Sequence, residues 1–89
     1  MIRESVTIIN KLGLHARASA KLNAVAQQFE SSIQIEKAGQ RADAKSIMSI
    51  MMLAASQGTE ILVEVEGPDE EAAFAAVKAL IDNYFEEGE

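Results

Sequence analysis

The sequence predicts an α+β domain with the element order β-α-β-β-α-β-α, its strands antiparallel and its helices gathered on one face. Three observations lead there. Apolar and polar residues alternate in RESVTII, SSIQIEK and EILVEVE, the period of a strand with one buried face. From Ala16 to about Phe29, and again after Pro68, apolar residues recur at three- and four-residue spacing, the period of a helix with one buried stripe. The two periods follow one another along 89 residues with no repeat, linker or low-complexity stretch. That length holds one hydrophobic core, so residues 1–89 are expected to form a single domain.

The first strand, RESVTII, puts Val6 and Ile8 on one face. NKLGL is a loop broken by Gly13, and the helix after it carries Leu22, Val25, Ala26 and Phe29 at i, i+3, i+4 and i+7. In SSIQIEK, Ile33 and Ile35 point inward. KAGQ is a tight turn around Gly39, from which QRADA returns as a short third strand paired in a hairpin. Ser46 opens a second helix, SIMSIMMLAA, ending near Ser56-Gln57-Gly58, where glycine accepts the left-handed backbone of a helix stop. EILVEVE is the clearest strand, with Ile61, Val63 and Val65 facing in and Glu60, Glu64 and Glu66 facing water. Gly67-Pro68-Asp69 starts the last helix, since proline is tolerated in a first turn and acids suit the N-terminal dipole. Its inward stripe is Ala73, Val77, Leu80 and Tyr84, flanked by Ala76 and Ile81. The first six elements make the split βαβ pattern that many unrelated proteins share, so fold alone leaves function open.

Composition narrows the classes. A net charge of −6 argues against a nucleic-acid binder or an anionic-membrane binder. With no cysteine, disulfides, thiol catalysis and cysteine-ligated metals are excluded, and a cytoplasmic protein is expected. The start MIRESVTII lacks the apolar run of a signal peptide, and no stretch reaches the ~18 apolar residues that cross a bilayer. The charge is uneven: residues 1–59 carry seven basic and four acidic side chains, residues 60–89 one and ten. The EEGE ending reads as a solvated tail that aids solubility. From Asn10 to Phe29 there is no acid at all, and this window, NKLGLHARASAKL onward, holds the chain's one histidine.

With a helix starting at Ala16, His15 lies just outside it, against backbone N–H groups that have no intrahelical partner. Such a start binds anions. Arg17, in the first turn, can grip two phosphate oxygens at once, and Lys21 adds positive potential one turn on. Gly13 leaves the loop unhindered for the approach of another protein. A neutral imidazole has a ring nitrogen free to attack, and a phosphoryl group accepted there would sit where the backbone amides of Ala16, Arg17 and Ala18 and the Arg17 guanidinium stabilise it. The P–N bond stays labile, which suits a carrier better than a hydrolase. No neighbouring acid offers a general base, and no second histidine or cysteine offers a metal site. Taken alone, a histidine at a helix start is more often a cap or a packing residue.

Gly13-Leu14-His15-Ala16-Arg17 resembles the active-site signature of the HPr family, the histidine phosphocarriers of the bacterial phosphoenolpyruvate-dependent phosphotransferase system. Lys45-Ser46-Ile47-Met48 and the apolar run after it resemble that family's second signature, and spacing, length and element order agree along essentially the whole chain. The resemblance implies an open-faced β-sandwich, four antiparallel strands covered on one face by three helices. It implies that His15 is phosphorylated at Nδ1 by enzyme I and passes the group to an enzyme IIA, with Arg17 neutralising its charge. Such a protein is a phosphoryl relay without turnover of its own, a monomer needing no cofactor or metal. Where the family's commonest motif has proline after the arginine, this chain has Ala18 and then Ser19, which is expected to loosen the first turn slightly and leave the nucleophile unchanged.

The second helix is apolar at nearly every position. Ile50, Leu53 and Ala54 could serve the core while Ile47, Met48 and Met51 remain partly outside; a short, fully buried helix would read the same way. The resemblance favours docking of Ile47, Met48 and Met51, with Arg17, Lys21 and their basic neighbours, against enzyme I and enzyme IIA, and methionine adapts to several partners. Ser46 reads as an N-cap. In some branches of the family this serine is also phosphorylated by a dedicated kinase, which here would place negative charge beside the docking patch. Two other functions remain open: a nitrogen-branch carrier acting mainly as a regulatory interaction module, and a split-βαβ domain binding a small ligand at its sheet edge.

Overall fold

The structure, a computed structural model, describes residues 1–87. Its elements come in the expected order: β1 (Ile2–Thr7), α1 (Ala16–Ala26), β2 (Ser32–Lys37), β3 (Gln40–Asp43), α2 (Ile47–Met52), β4 (Glu60–Glu66) and α3 (Glu70–Asp82). A single 3₁₀ turn, Tyr84–Glu86, follows. The sheet order is β1-β4-β2-β3, with every neighbouring pair antiparallel. β4 is inserted between β1 and β2, which therefore run parallel and are joined through α1, so the split βαβ unit is present.

Register explains where the core lies. Val6 pairs with Ile61, Ile33 with Val65, and Ile35 with both Val63 and Ala42, so one face of the sheet is lined by buried apolar side chains. The helices cover that face, contributing Leu22 and Ala26 from α1, Ile50 from α2, and Val77 and Ile81 from α3, all fully buried. Each large aliphatic side chain buried this way contributes roughly 1.5–3 kcal/mol. Ala38 and Gly39 form the two-residue loop of the β2–β3 hairpin, with φ of 50° and 86°. Two positive φ values give that loop the twist of the strands it joins. Among the described residues no helix is long and apolar enough to cross a membrane.

Several boundaries differ from those the periodicity suggests. α1 ends at Ala26, and Phe29 lies in the turn beyond it, half-buried, its N–H bonded to Ala26 O at 3.3 Å. α2 is also shorter. The chain reverses at Ala54 (φ 53°), so Leu53 and Ala55 are buried while Ala54 points out; Gly58 shapes the turn into β4 and does not stop the helix. Pro68 precedes α3, whose N-cap is Asp69. That carboxylate does not cap its own helix. It accepts the Ser31 hydroxyl and the N–H groups of Glu30 and Ser31, at 3.0 and 2.9 Å, which tie the α1–β2 connection to the start of α3. These bonds, the Ser31 hydroxyl first, hold the Asp69 carboxyl below its ordinary range.

Two side chains differ in burial from what the pattern predicts. Glu64 lies on the open face as its alternation requires, yet it is only 8% exposed. Arg3 Nε at 3.1 Å, from the neighbouring β1, and Arg41 Nη1 at 2.7 Å, reaching over β2 from β3, cover its two oxygens. At the C-terminal end Tyr84 is exposed and Phe85 takes the inward position with no exposed surface, because the chain leaves helical geometry after Asp82. Tyr84, Phe85 and Glu86 all have positive φ, at 55°, 53° and 64°. Non-glycine residues rarely hold that conformation, and here the buried Phe85 ring fixes it.

Candidate functional site

The loop before α1 is stitched from both sides. Asn10, fully buried, donates its Nδ2 to Gly13 O at 2.8 Å and accepts the Gly13 N–H on its own carbonyl at 3.2 Å. Leu14 N–H bonds to Ala55 O at 2.8 Å, which fastens the loop directly behind α2. Gly13 has φ +65°, and a Cβ there would lie 2.4 Å from Ala55 O and 2.7 Å from Ser56 Cα. This glycine therefore admits the chain's own backbone, not an incoming partner, which corrects its expected role.

His15 is the N-cap of α1, with φ −74° and ψ −177°. Its Nδ1 accepts the Arg17 N–H at 3.2 Å, so the ring nitrogen faces the open start of the helix. The first intrahelical bond, Ser19 N–H to His15 O at 2.8 Å, closes the turn. Ser19 also donates its Oγ to Leu14 O at 3.1 Å, and Ala18 is fully buried beneath the turn. Ser19 and Ala18 thus pin the turn that lacks the usual proline. The first turn carries no acid. Arg17 is exposed and, among the described residues, forms no ion pair.

A carboxylate nevertheless reaches the ring from far along the chain. Glu87 Oε2 lies 2.5 Å from His15 Nε2, and its other oxygen accepts Asn10 Nδ2 at 3.1 Å. Glu87 is not part of a solvated tail, and the expectation that no acid stands beside His15 is corrected. Of the EEGE ending, Glu86 is solvated, while Gly88 and Glu89 lie outside the described residues. Lys21 is engaged with the same segment: its Nζ donates to Phe85 O at 2.8 Å and stands 3.7 Å from Glu86 Oε1. Lys11, Leu12, Arg17, Glu86 and Glu87 line an open cleft of about 270 Å³ beside the ring.

α2 presents the second set of residues. Ser46 is its N-cap, the Oγ accepting the Ser49 N–H at 3.3 Å. Ile47, Met48 and Met51 are exposed while Ile50 and Leu53 are buried, so the helix has one dry and one wet apolar face. Met48 is 70% exposed. Met52 and Leu12 are exposed as well, at 67% and 68%. The composition of a six-residue, largely apolar helix does not say which side turns out; the burial of Ile50 and Leu53 in the core does.

Comparison with known proteins gives one answer. The PTS-HPr family, described as the PTS HPr component phosphorylation site, matches residues 2–83. Phosphocarrier protein HPr of Cupriavidus necator is 54% identical over 89 residues, covering all of both chains. A crystal structure of HPr-C-His from Thermoanaerobacter tengcongensis superposes with a TM-score of 0.94 at 44% identity, covering 98% of each chain. A crystal structure of an HPr dimer from the same organism gives 0.77 at 44% identity, covering 96% of this chain and 98% of that one.

Proposed function

The chain belongs to the HPr family, phosphocarriers of the phosphotransferase system, and on that premise we propose that His15 Nδ1 accepts a phosphoryl group from phosphorylated enzyme I and passes it to enzyme IIA. The observation that carries this reading is the placement of Nδ1 at the N-cap of α1, 3.2 Å from the Arg17 amide. When the Nδ1 lone pair attacks phosphorus, the Arg17 N–H loses its ring acceptor and a phosphoryl oxygen replaces it. The Ala16 and Ala18 amides of the same turn face the same charge, as does the partial positive charge of the helix start. The exposed Arg17 guanidinium, free of a carboxylate among the described residues, can fold over the phosphoryl oxygens with a bidentate grip. The dianion is held without a covalent partner beyond the ring, so it remains transferable.

Ile47, Met48 and Met51 are the docking surface for both partners, with Lys21 at its edge. Their exposure on a helix whose other side is buried leaves apolar area with no partner in the domain. Ser46 is the regulatory site of a serine kinase. A phosphate on its Oγ would take over the Ser49 N–H and set negative charge against Ile47 and Met48. The working form is a monomer in the cytoplasm, since one copy already carries nucleophile, amides and Arg17.

Incubation with phosphoenolpyruvate and a cognate enzyme I should add one acid-labile phosphate per chain, and added enzyme IIA should discharge it. Absence of uptake, or a phosphate that enzyme IIA leaves in place, would contradict the relay.

A further inference from the structure

The nitrogen that does not carry the phosphoryl group is held as firmly as the one that does. Glu87 Oε2 stands 2.5 Å from His15 Nε2, and Asn10 grips the second carboxylate oxygen at 3.1 Å. The Glu87 side chain is only 11% exposed. The segment bearing it is anchored by the buried Phe85 ring and by Lys21 Nζ on Phe85 O at 2.8 Å.

We propose that Glu87 is a positioning residue for phosphoryl transfer: it fixes the His15 ring as the Nε2–H tautomer and balances the positive charge the ring gains. This rests on the phosphocarrier reading above. An ionised carboxylate only accepts hydrogen bonds, so the 2.5 Å contact requires a proton on Nε2. A neutral ring then has its lone pair on Nδ1, which is where the Arg17 N–H points. Two contacts from opposite ends of the chain thus specify one tautomer. In the transfer the Nδ1 pair forms the P–N bond, the donor's bond to phosphorus breaks, and that electron pair leaves with the donor. The ring proton stays on Nε2, so the ring becomes an imidazolium facing the Glu87 carboxylate, and no general base is needed. On onward transfer the P–N pair returns to Nδ1 and the ring is neutral again. The carboxylate and the phosphoryl group occupy different ring nitrogens, and the acid-free first turn faces only the phosphoryl side.

The test combines ring ¹⁵N NMR of the unphosphorylated protein with initial rates of phosphorylation by enzyme I. The wild type should show the Nε2–H tautomer. Glu87→Ala should relax the ring toward a mixture of tautomers and slow phosphorylation ~10-fold or more, as loss of an orienting partner typically does. Its melting temperature should hold, because Phe85 is untouched. Glu87→Gln, whose carbonyl still accepts from Nε2–H, should keep the tautomer yet remain slow, since the charge is gone. A wild-type tautomer and rate in Glu87→Ala overturn the inference while leaving the carrier reading intact. Absence of phosphate uptake by the wild type overturns both.

Discussion

His15→Ala should take up no acid-labile phosphate from phosphoenolpyruvate and enzyme I, while remaining folded. The chain has one histidine, and in the described residues its Nδ1 is the ring nitrogen at the helix start. A protonated Arg17 guanidinium and the first-turn amides offer no free lone pair to phosphorus; they only stabilise what the ring has accepted. Removing the ring also removes the N-cap acceptor of the Arg17 N–H, a loss of about 0.5–2 kcal/mol. For a domain of this size each kcal/mol lowers the melting temperature by roughly 4–8 °C, so the variant should still melt cooperatively. Mass spectrometry of the incubated protein beside a thermal melt checks both halves. Phosphate retained by a folded His15→Ala would mean that another residue is the nucleophile.

Phe85→Ala should cause the largest loss of stability, about 3–5 kcal/mol, which lowers the melting temperature by ~15 °C or more. The ring is fully buried and sits in a backbone conformation that non-glycine residues avoid. Left-handed geometry costs roughly 1–2 kcal/mol per residue, and Tyr84, Phe85 and Glu86 all adopt it. The burial of Phe85 and the bonds of this segment offset that strain only while the ring fills its place against α1 and α3. Without it the turn should unwind and carry Glu87 away from His15, so the variant should also show the ring tautomers of Glu87→Ala. Thermal or urea unfolding, read with the same NMR spectrum, tests the pair of effects. An unchanged melting temperature would mean that the C-terminal turn adds nothing to the core.

What was legible in the sequence was local. The period-two and period-3.6 patterns report the inward residues of each element, because the side chains that make the pattern are neighbours on one strand or helix. His15 and Arg17 were legible for the same reason, lying within three residues of a helix start. Glu87 was not, because its contact with His15 spans 72 residues and a charge run says nothing about where the chain turns. Its one available signal was Phe85, an aromatic residue directly after the stripe position Tyr84. Gly13 looked like an opening for a partner because its neighbour Ala55 is 42 residues away. Alternation puts Glu64 on the open face, but whether that position is wet depends on Arg3 and Arg41, which come from two other strands. Reading the exposed face of α2 as a docking surface and Ser46 as a regulatory site rests on family resemblance, since a nearly all-apolar helix and an N-cap serine have structural explanations of their own.

The most direct measurement is ³¹P and ¹⁵N NMR of the protein after phosphorylation by enzyme I, which identifies the nitrogen bonded to phosphorus. The arrangement of Arg17 at one ring nitrogen and Glu87 at the other predicts a single phosphoryl group on Nδ1 of His15, with a large shift of the Arg17 amide. A phosphoryl group on Nε2, or on any other residue, would contradict it.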